Sequence, residues 1–254
     1  MNRQHPSGGS RVIGDAGNAR DLFGLRGTAG LSVRGGMLLR ASAAGVAAVS
    51  ATRRPGTVVD LRDPAERAAR PLTGEYAATE HCPVSVSRAV LRGVPVPGPH
   101  RYLAYYRSML PVAAPVAATV VDLLATPGST PVLVCCTLGK DRTSVVCGLV
   151  LRALGVRLAD VARDHALTGR LHRRSVVAGA TPPWVGRPDE RARTAGMATV
   201  AATMRELLLD VERGHGSVAG YLTRHGGLTS QSLERAVHTV LTGPGTAGGS
   251  EVRP

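Results

Sequence analysis

PVLVCCTLGKDRTSVVCGLVL, residues 131–151, is the stretch that decides the fold of this chain. Residues 131–134 are apolar, which predicts a buried strand, whereas residues 145–154 have the composition of a helix. A short loop joins the two, with Cys136 at the end of the strand and Arg142 at the start of the helix. This order predicts an α/β fold with a mostly parallel central sheet flanked by helices, which binds ligands at the carboxyl ends of its strands.

The loop between this strand and helix has the chemistry of an anion site. Backbone N–H groups after Cys136 can curl inward at the start of a helix, where they bind an anion and stabilise a thiolate. Arg142 offers a planar fork for two phosphate oxygens, Gly139 permits backbone angles that a side chain forbids, and Thr143 can donate its hydroxyl to the thiolate. Lys140 is the only lysine among 31 lysines and arginines, which indicates a local chemical demand. The residues expected to bind the phosphate, with Cys136 as the nucleophile, are Thr137, Leu138, Gly139, Lys140, Arg142 and Thr143.

The same loop resembles a known family signature. Residues 135–144 are similar to the His-Cys-x-x-Gly-Lys-Asp-Arg-Thr-Gly loop of the atypical tyrosine/serine phosphatases common in actinobacteria. Further segments that look like this family, within a resemblance that covers residues 11–241, are NARDLFG at 18–24, LRAS at 39–42, VDLR at 59–62 with Glu66, and GSVAGYLTRHGGL at 216–228. The resemblance implies a three-layer cysteine-phosphatase-like fold and a phosphomonoester hydrolase that needs no metal or cofactor.

The resemblance also implies a proton donor. It assigns Asp141 as the general acid that protonates the leaving alcohol while Cys136 forms a phosphocysteine. A phosphate dianion beside Asp141 would favour its protonated form. Two alternatives stay open: Asp141 can tie down the loop by pairing with an arginine, and Asp189 can act as the acid from a mobile segment.

Two further carboxylates are weaker rivals for the same role. Asp60 and Asp63 lie at a strand end that should open on the same face of the sheet. For both, an ion pair with Arg20 or Arg40 is at least an equal expectation. Asp60, Arg20 and Arg40 are therefore candidate supporting residues.

The loop departs from the family pattern at two positions. Cys135 stands where the family has a histidine that orients the loop, and Ser144 replaces its final glycine. We expect Cys135 to be a small buried residue at a strand end and a supporting residue of the site. The alternative is redox protection, in which Cys135 or, with better geometry, Cys82 captures oxidised Cys136 as a disulfide.

The composition of the 254-residue chain fits a single enzyme domain. The net charge of +13 and the pI of about 11.0 would suit a nucleic-acid-binding protein. The basic residues are dispersed, however, and aromatic side chains make up only 3% of the chain, so aromatic residues interleaved with positive charge are missing. We expect no nucleic-acid partner, and we expect the charge to steer anionic substrates.

Cysteine content and hydropathy predict the compartment. Four cysteines in a chain of this length do not form a disulfide framework, and no pair has the spacing of zinc ligands. Residues 1–10 lack the apolar core of a signal peptide, and no stretch approaches the ~20 uncharged apolar residues of a membrane span. The expectation is a cytoplasmic protein without a transmembrane segment, with leaderless secretion left open.

The remaining chain is predicted to form one domain over residues 11–242 between flexible tails at 1–10 and 243–254. The Arg-rich segment 169–197 is predicted to be irregular, either a lid over the site or a surface connection. Hydrophobic periodicity predicts strands at 57–61 and 79–84, a loop at 88–99, and helices at 43–51, 115–124, 158–168, 198–213, 217–224 and 230–241.

Three functions from different classes fit these residues. The first is a phosphatase for phosphotyrosine or phosphoserine in proteins or for phosphoinositides, whose anionic head groups Lys140 would suit. The second is a phosphatase for a small phosphorylated metabolite, which the altered signature favours. The third is a catalytically weak phosphate-binding module, which the missing histidine favours and the intact Cys136, Asp141 and Arg142 argue against.

Overall fold

A mixed β-sheet carries the loop at the end of a central strand. The computed structural model describes residues 9–13, 17–85, 99–177 and 201–243. Within this part of the chain, the strands of the main sheet are β1 (Arg11–Val12), β2 (Arg20–Asp21), β4 (Leu38–Ser42), β5 (Thr57–Asp60), β6 (Ala78–His81) and β7 (Val132–Cys136), and a second sheet pairs β3 (Ser32–Val33) with β8 (Leu241–Thr242).

The strand order of the main sheet is β1-β2-β4-β7-β5-β6. Strands β4, β7, β5 and β6 are parallel, whereas β1, β2 and β4 pair antiparallel. Strand β7 therefore lies between two parallel neighbours, and all five of its residues are buried. Its continuous apolar run is the pattern expected of a strand covered on both faces.

Helices cover both faces of this sheet. The helices, in chain order after a 3₁₀ turn at Ala43–Gly45, are α1 (Val46–Thr52), α2 (Pro64–Ala69), α3 (Pro99–Ala125), α4 (Asp141–Ala153), α5 (Leu158–Val177), α6 (Ala201–His215), α7 (Val218–Gly226) and α8 (Ser230–Val240). Side chains along β7 alternate between two apolar clusters: Val132, Val134 and Cys136 join the larger one with α3 and α4, and Leu133 and Cys135 join the smaller one with α1. This arrangement confirms the predicted α/β fold with a mostly parallel central sheet flanked by helices.

Several predicted boundaries need correction. The strand predicted at 79–84 is β6 at Ala78–His81, and the helix predicted at 115–124 is the end of α3, which begins at Pro99. Pro111 and Pro115 lie inside α3, where a proline ordinarily ends or kinks a helix, so the sequence pattern alone begins the helix too late.

The segment predicted as an irregular insert at 169–197 begins as a helix. Its residues up to Val177 continue α5, and the rest, including Asp189, lies outside the described residues. Most of the predicted loop at 88–99 and nearly all of both predicted tails also lie outside them. The lid and the two tails therefore stay predictions.

Among the described residues, helix α3 holds the one stretch that resembles a membrane span, although Arg107 and Asp122 interrupt its apolar residues. Tyr102–Ala125 is long and apolar enough to cross a membrane by length and composition, with a mean hydropathy of 1.7 in its best window. Of that window, 56% is buried inside the protein, because α3 packs against α4, α7 and α8. The apolar composition is that of a core helix.

Candidate active site

The predicted loop lies between β7 and α4. Strand β7 ends at Cys136, residues 137–140 form the loop, and α4 begins at Asp141. Cys136 is only 2% exposed, while the side chains of Thr137 and Leu138 are partly exposed at the rim. The cysteine thus sits at the carboxyl end of a central parallel strand, where the sheet topology favours a ligand site.

Gly139 is a glycine for two separate reasons. Its φ is +60°, in the left-handed region, where a side chain is strained. A Cβ at this position would also lie 2.5 Å from both the carbonyl carbon and the oxygen of Ala41. The loop therefore lies directly on strand β4.

The carbonyl of Gly139 is held from beneath the loop. It accepts hydrogen bonds from Asn18 Nδ2 at 2.7 Å and from Arg40 Nη2 at 2.9 Å. Because the carbonyl and the N–H of a trans peptide point in opposite directions, this anchoring turns the N–H of Lys140 away from Arg40. The arrangement supports the predicted curl of the loop amides.

Arg20 and Arg40 share one buried carboxylate, that of Asp164 on α5. Arg20 Nε lies 2.7 Å from Asp164 Oδ1, and Arg40 Nη1 lies 2.7 Å from Oδ2. Burial by itself raises the pKa of Asp164, but the two guanidinium groups outweigh this and hold it well below its usual range. Two cations against one anion leave this trio with excess positive charge beneath the loop, which favours a bound anion.

Asp60 and Asp63 are engaged elsewhere, so the expected ion pairs with Arg20 and Arg40 are wrong. Asp60 is fully buried and pairs with Arg62, whose Nη2 lies 2.7 Å from Oδ2. Asp63 caps α2 by accepting a hydrogen bond from the N–H of Glu66 at 2.8 Å. Both carboxylates therefore have structural contacts that account for them, which argues against an acid role for either.

Arg142 is held by Glu66, a residue for which the sequence indicates only that it belongs to a family-like segment. Nη1 of Arg142 lies 2.5 Å from Oε2 of Glu66, and Nη2 lies 2.7 Å from Oε1. The other terminal N–H groups donate to the carbonyl of Leu61 at 3.4 Å and to Thr137 Oγ1 at 3.2 Å. Glu66 thus takes the end-on fork of the guanidinium and Thr137 takes a further N–H of Nη2, so Nε is the Arg142 donor that has no contact among the described residues.

Glu66 and Arg142 each favour the charged state of the other. Burial alone raises the pKa of Glu66, but hydrogen bonds from Arg142 and from the Thr137 hydroxyl lower it to about 2. Burial lowers the pKa of Arg142, but the bond to Glu66 and the nearby Cys136 raise it overall. Glu66 follows β5, which neighbours β7. Its position after a strand that ends at the same sheet edge as Cys136 could have predicted its contact with Arg142.

Asp141 occupies the first position of α4 and is 7% exposed. Its Oδ1 accepts a hydrogen bond from the hydroxyl of Tyr106 at 2.9 Å and lies 3.4 Å from Lys140 Nζ. The ammonium of Lys140 also lies 4.5 Å from the centroid of the Tyr102 ring, a cation–π contact. Lys140 is therefore directed towards Asp141 and Tyr102, and Tyr106 is a contact that sequence reasoning missed.

Thr143 differs from expectation, and Ser144 makes a contact that the sequence did not predict. Thr143 Oγ1 is buried and makes no hydrogen bond with the described residues, so the expected donation to Cys136 is not present in this structure. Ser144 Oγ accepts a hydrogen bond from Arg40 Nη2 at 2.6 Å. The residue that replaces the family glycine thus gives a buried arginine an additional partner.

Neither Cys135 nor Cys82 lies where a disulfide with Cys136 needs it. Cys135 and Cys136 face opposite sides of the sheet. Cys82 follows β6, two strands from β7, and two strand spacings amount to about 9.6 Å, beyond the ~7 Å Cα separation that a disulfide can span. All four cysteines are free, and this geometry argues against a disulfide from Cys136 to either residue.

Cys135 instead has the packing role that was the first expectation. Burial, followed by the charge of Asp60, raises the pKa of Cys135 well above its ordinary value, so it is a thiol within the smaller apolar cluster. No three histidine, cysteine or acidic side chains in the described ranges are grouped so as to hold a metal ion.

Comparison with known proteins identifies the family. No curated protein matches the chain. A family model described as the tyrosine phosphatase family matches residues 13–242, which includes every contact of the loop given above. The chain belongs to the tyrosine phosphatase family.

Proposed function

We propose that this member of the family is a phosphomonoester hydrolase that acts through a phosphocysteine on Cys136. The observation that carries the proposal is the placement of Cys136 and Arg142 at the two ends of one loop, with Arg142 oriented by Glu66. Cys136 ends a central strand and Arg142 is the second residue of α4. A phosphate between them meets loop amides, a helix N-terminus and the Arg142 guanidinium.

The proposed cycle has two steps. The Cys136 thiolate attacks phosphorus, the bond from phosphorus to the leaving oxygen breaks, and Asp141 gives its proton to that oxygen. Water then attacks the phosphocysteine, Asp141 takes a proton from the water, and the cysteine leaves as a thiolate. Throughout, Arg142 and the loop amides bind the remaining phosphate oxygens, whose charge is spread in the transition state.

We propose phosphotyrosine and phosphoserine in proteins as the substrates, with phosphoinositides as further ones. Lys140 suggested phosphoinositide head groups as substrates, but its ammonium is directed towards Asp141 and Tyr102. That contact is within the site rather than at its rim, so it favours a single phosphate over a highly anionic head group. Phosphoproteins are therefore the leading proposal.

The structure offers no support for the two other hypotheses, a phosphatase for a small metabolite and a weak phosphate-binding module. Ser144 lies beneath the loop against Arg40, and Cys135 faces the opposite side of the sheet. Neither departure lines the pocket, so neither argues for a specialised metabolite. The loop is anchored by Asn18 and Arg40 without the family histidine, which argues against a weak binding module. We also propose a cytoplasmic location, which follows only from the low cysteine content of the sequence.

The experiment is a substrate panel measured on matched variants. We expect wild-type protein to hydrolyse phosphopeptides with a higher kcat/KM than inositol phosphates or nucleotides. Cys136→Ser should abolish turnover, whereas Cys135→Ala should retain it, because the adjacent cysteine faces the other side of the sheet. Near-normal turnover by Cys136→Ser would contradict the mechanism, and a preference for nucleotides would contradict the substrate.

A further inference from the structure

We propose that Arg20, Arg40 and Asp164 form a buried cation that supplies net positive charge to a phosphate dianion in the loop, with Arg40 as the positioning residue that connects this charge to the loop. The inference rests on the proposed function and deepens it, since it names groups that favour a doubly charged ligand. The three side chains are each at most 2% exposed. Water and salt therefore screen their charge much less than that of surface arginines.

The two cations nearest the predicted phosphate are each matched by one carboxylate. Arg142 is paired with Glu66, and Lys140 Nζ lies 3.4 Å from Asp141 Oδ1. Asp164, by contrast, is shared by two arginines, neither of which contacts another carboxylate among the described residues. Of these three groups of ions, only the one that contains Asp164 has a net charge, and that charge is positive.

The pairing of β2 with β4 holds two like charges together. Arg20 lies directly opposite Arg40 in the antiparallel register, and like charges in this position destabilise a sheet. Burial, and then the charge of Arg40, lowers the pKa of Arg20. Asp164 offsets only part of the repulsion, because it supplies one negative charge against two positive ones. A phosphate bound in the loop would offset the rest.

The register of β4 with β7 places Arg40 on the same face of the sheet as the nucleophile. Arg40 lies opposite Val134, and Ser42 lies opposite Cys136. Paired residues of neighbouring strands share a face, and Val134 and Cys136 face the same apolar cluster. One strand spacing and two residues along the strand separate the Cα atoms of Arg40 and Cys136 by about 8 Å. At this distance a buried charge interacts substantially with a bound anion.

Arg40 is also the member of this group that contacts the loop. Its Nη2 donates to the carbonyl of Gly139 at 2.9 Å and to Ser144 Oγ, in the first turn of α4, at 2.6 Å. One guanidinium thus joins the loop to the helix that follows it. Cys135 stands where the family has its loop-orienting histidine, and Ser144 stands where it has a glycine, which has no side-chain acceptor. Ser144 therefore helps Arg40 to hold a loop that lacks the histidine.

The test compares two tetrahedral anions of different charge. Tungstate is a dianion and perrhenate a monoanion, and isothermal titration calorimetry in mildly alkaline solution measures the affinity of each. The Coulomb energy is proportional to the charge of the ligand, so in Arg40→Met tungstate should lose at least about fivefold more affinity than perrhenate. Arg20→Met should show a difference of the same sign, and it covers the case in which Arg40→Met does not fold.

Two further variants separate charge from structure. Arg40→Lys keeps the charge but not the fork, so both anions should lose affinity by the same factor, within about twofold. Arg235→Met removes the same formal charge at an exposed position of α8 and should change neither affinity.

Equal losses for both anions in Arg40→Met or in Arg20→Met would overturn the inference, as would unchanged affinities in these variants. Wild-type protein that binds tungstate but does not hydrolyse para-nitrophenyl phosphate would instead reject the proposed function.

Discussion

Glu66 binds Arg142 through two parallel contacts, Nη1 to Oε2 at 2.5 Å and Nη2 to Oε1 at 2.7 Å. This two-point ion pair fixes the plane of the guanidinium, because a planar fork facing a planar carboxylate has one favourable arrangement. The direction of the Arg142 Nε–H group is thereby set before a phosphate arrives. Glu66 is thus a positioning residue in our proposal, and it leads to the first prediction.

Glu66→Gln should lower kcat/KM for an aryl phosphate by about 10- to 100-fold, because a misplaced binding group costs on this order. The amide keeps one acceptor but loses the charge and the second contact. The measurement is steady-state kinetics, with thermal unfolding to check that the variant is folded. Glu80→Gln makes the same charge change at an exposed position of β6 and should have no effect. Wild-type kinetics in Glu66→Gln would show that Arg142 needs no such partner.

Gly139→Ala should disable the loop. The new Cβ would meet the backbone of Ala41 at 2.5 Å, so the loop or strand β4 must move. We expect kcat/KM to fall at least about 100-fold, measured alongside the free energy of unfolding. Gly128→Ala is the control, because Gly128 also has a positive φ, +82°, but has nothing within 4 Å of a Cβ. It should cost about 1–2 kcal/mol and no activity. Equal activity losses in both would rule out the steric explanation.

Ser144→Ala should destabilise the protein by about 1–3 kcal/mol, because it removes an acceptor from the buried Arg40 guanidinium. Chemical denaturation with urea would measure the change. Ser50→Ala removes a buried hydroxyl that has no partner among the described residues, and it should change stability by less than about 0.5 kcal/mol. If the two variants are equally stable, the contact between Arg40 and Ser144 contributes nothing.

His165 should make the protein less stable on mild acidification. Burial, and then the charge of Arg40, lowers its pKa from 6.5 to about 3 in the folded state. The unfolded chain therefore takes up a proton below about pH 6.5 that the folded chain refuses. Stability is lost as the pH falls, by up to about 1.4 kcal/mol per pH unit for one proton.

The experiment on His165 uses the window from about pH 6.5 to about 4.5. Below it, Glu66 and Asp164 add their own dependence of the same sign, since their pKa values are also lowered in the folded state. His165→Phe should reduce the slope of the unfolding free energy against pH in this window. An unchanged slope would mean that the imidazole is not buried in its neutral form.

Peroxide treatment should not join Cys136 to Cys135 or Cys82. The two neighbours on β7 face opposite sides of the sheet, and β5 separates Cys82 from Cys136. Peptide mapping by mass spectrometry should find Cys136 in an oxidised form without a disulfide to either residue. A cross-linked peptide of Cys136 with Cys135 or Cys82 would require the strands to separate and would contradict this geometry.

Local features were predictable from the sequence because they depend on near neighbours in the chain. The strand before Cys136, the glycine within the loop and the helix after it follow from hydrophobic pattern and backbone chemistry, and the resemblance to a tyrosine phosphatase family is confirmed. Helix α3 was underestimated because Pro111 and Pro115 are normally read as breaks, whereas packing against several helices stabilises the longer helix.

The sequence by itself thus determined the loop, its flanking elements and the class of chemistry, whereas the tertiary structure decided which side chains support that loop. Arg142 and Glu66 are 76 residues apart in the chain, Arg40 and Asp164 are 124 apart, and Tyr106 and Asp141 are 35 apart. No local sequence pattern links such pairs. For this reason Asp60 was expected to pair with Arg20 or Arg40, whereas Asp164 is the residue that does so. The packing of α2, α3 and α5 around the ends of the parallel strands brings these side chains within hydrogen-bonding distance. Because burial removes water as an alternative partner, each buried polar group must find its hydrogen bonds within the protein.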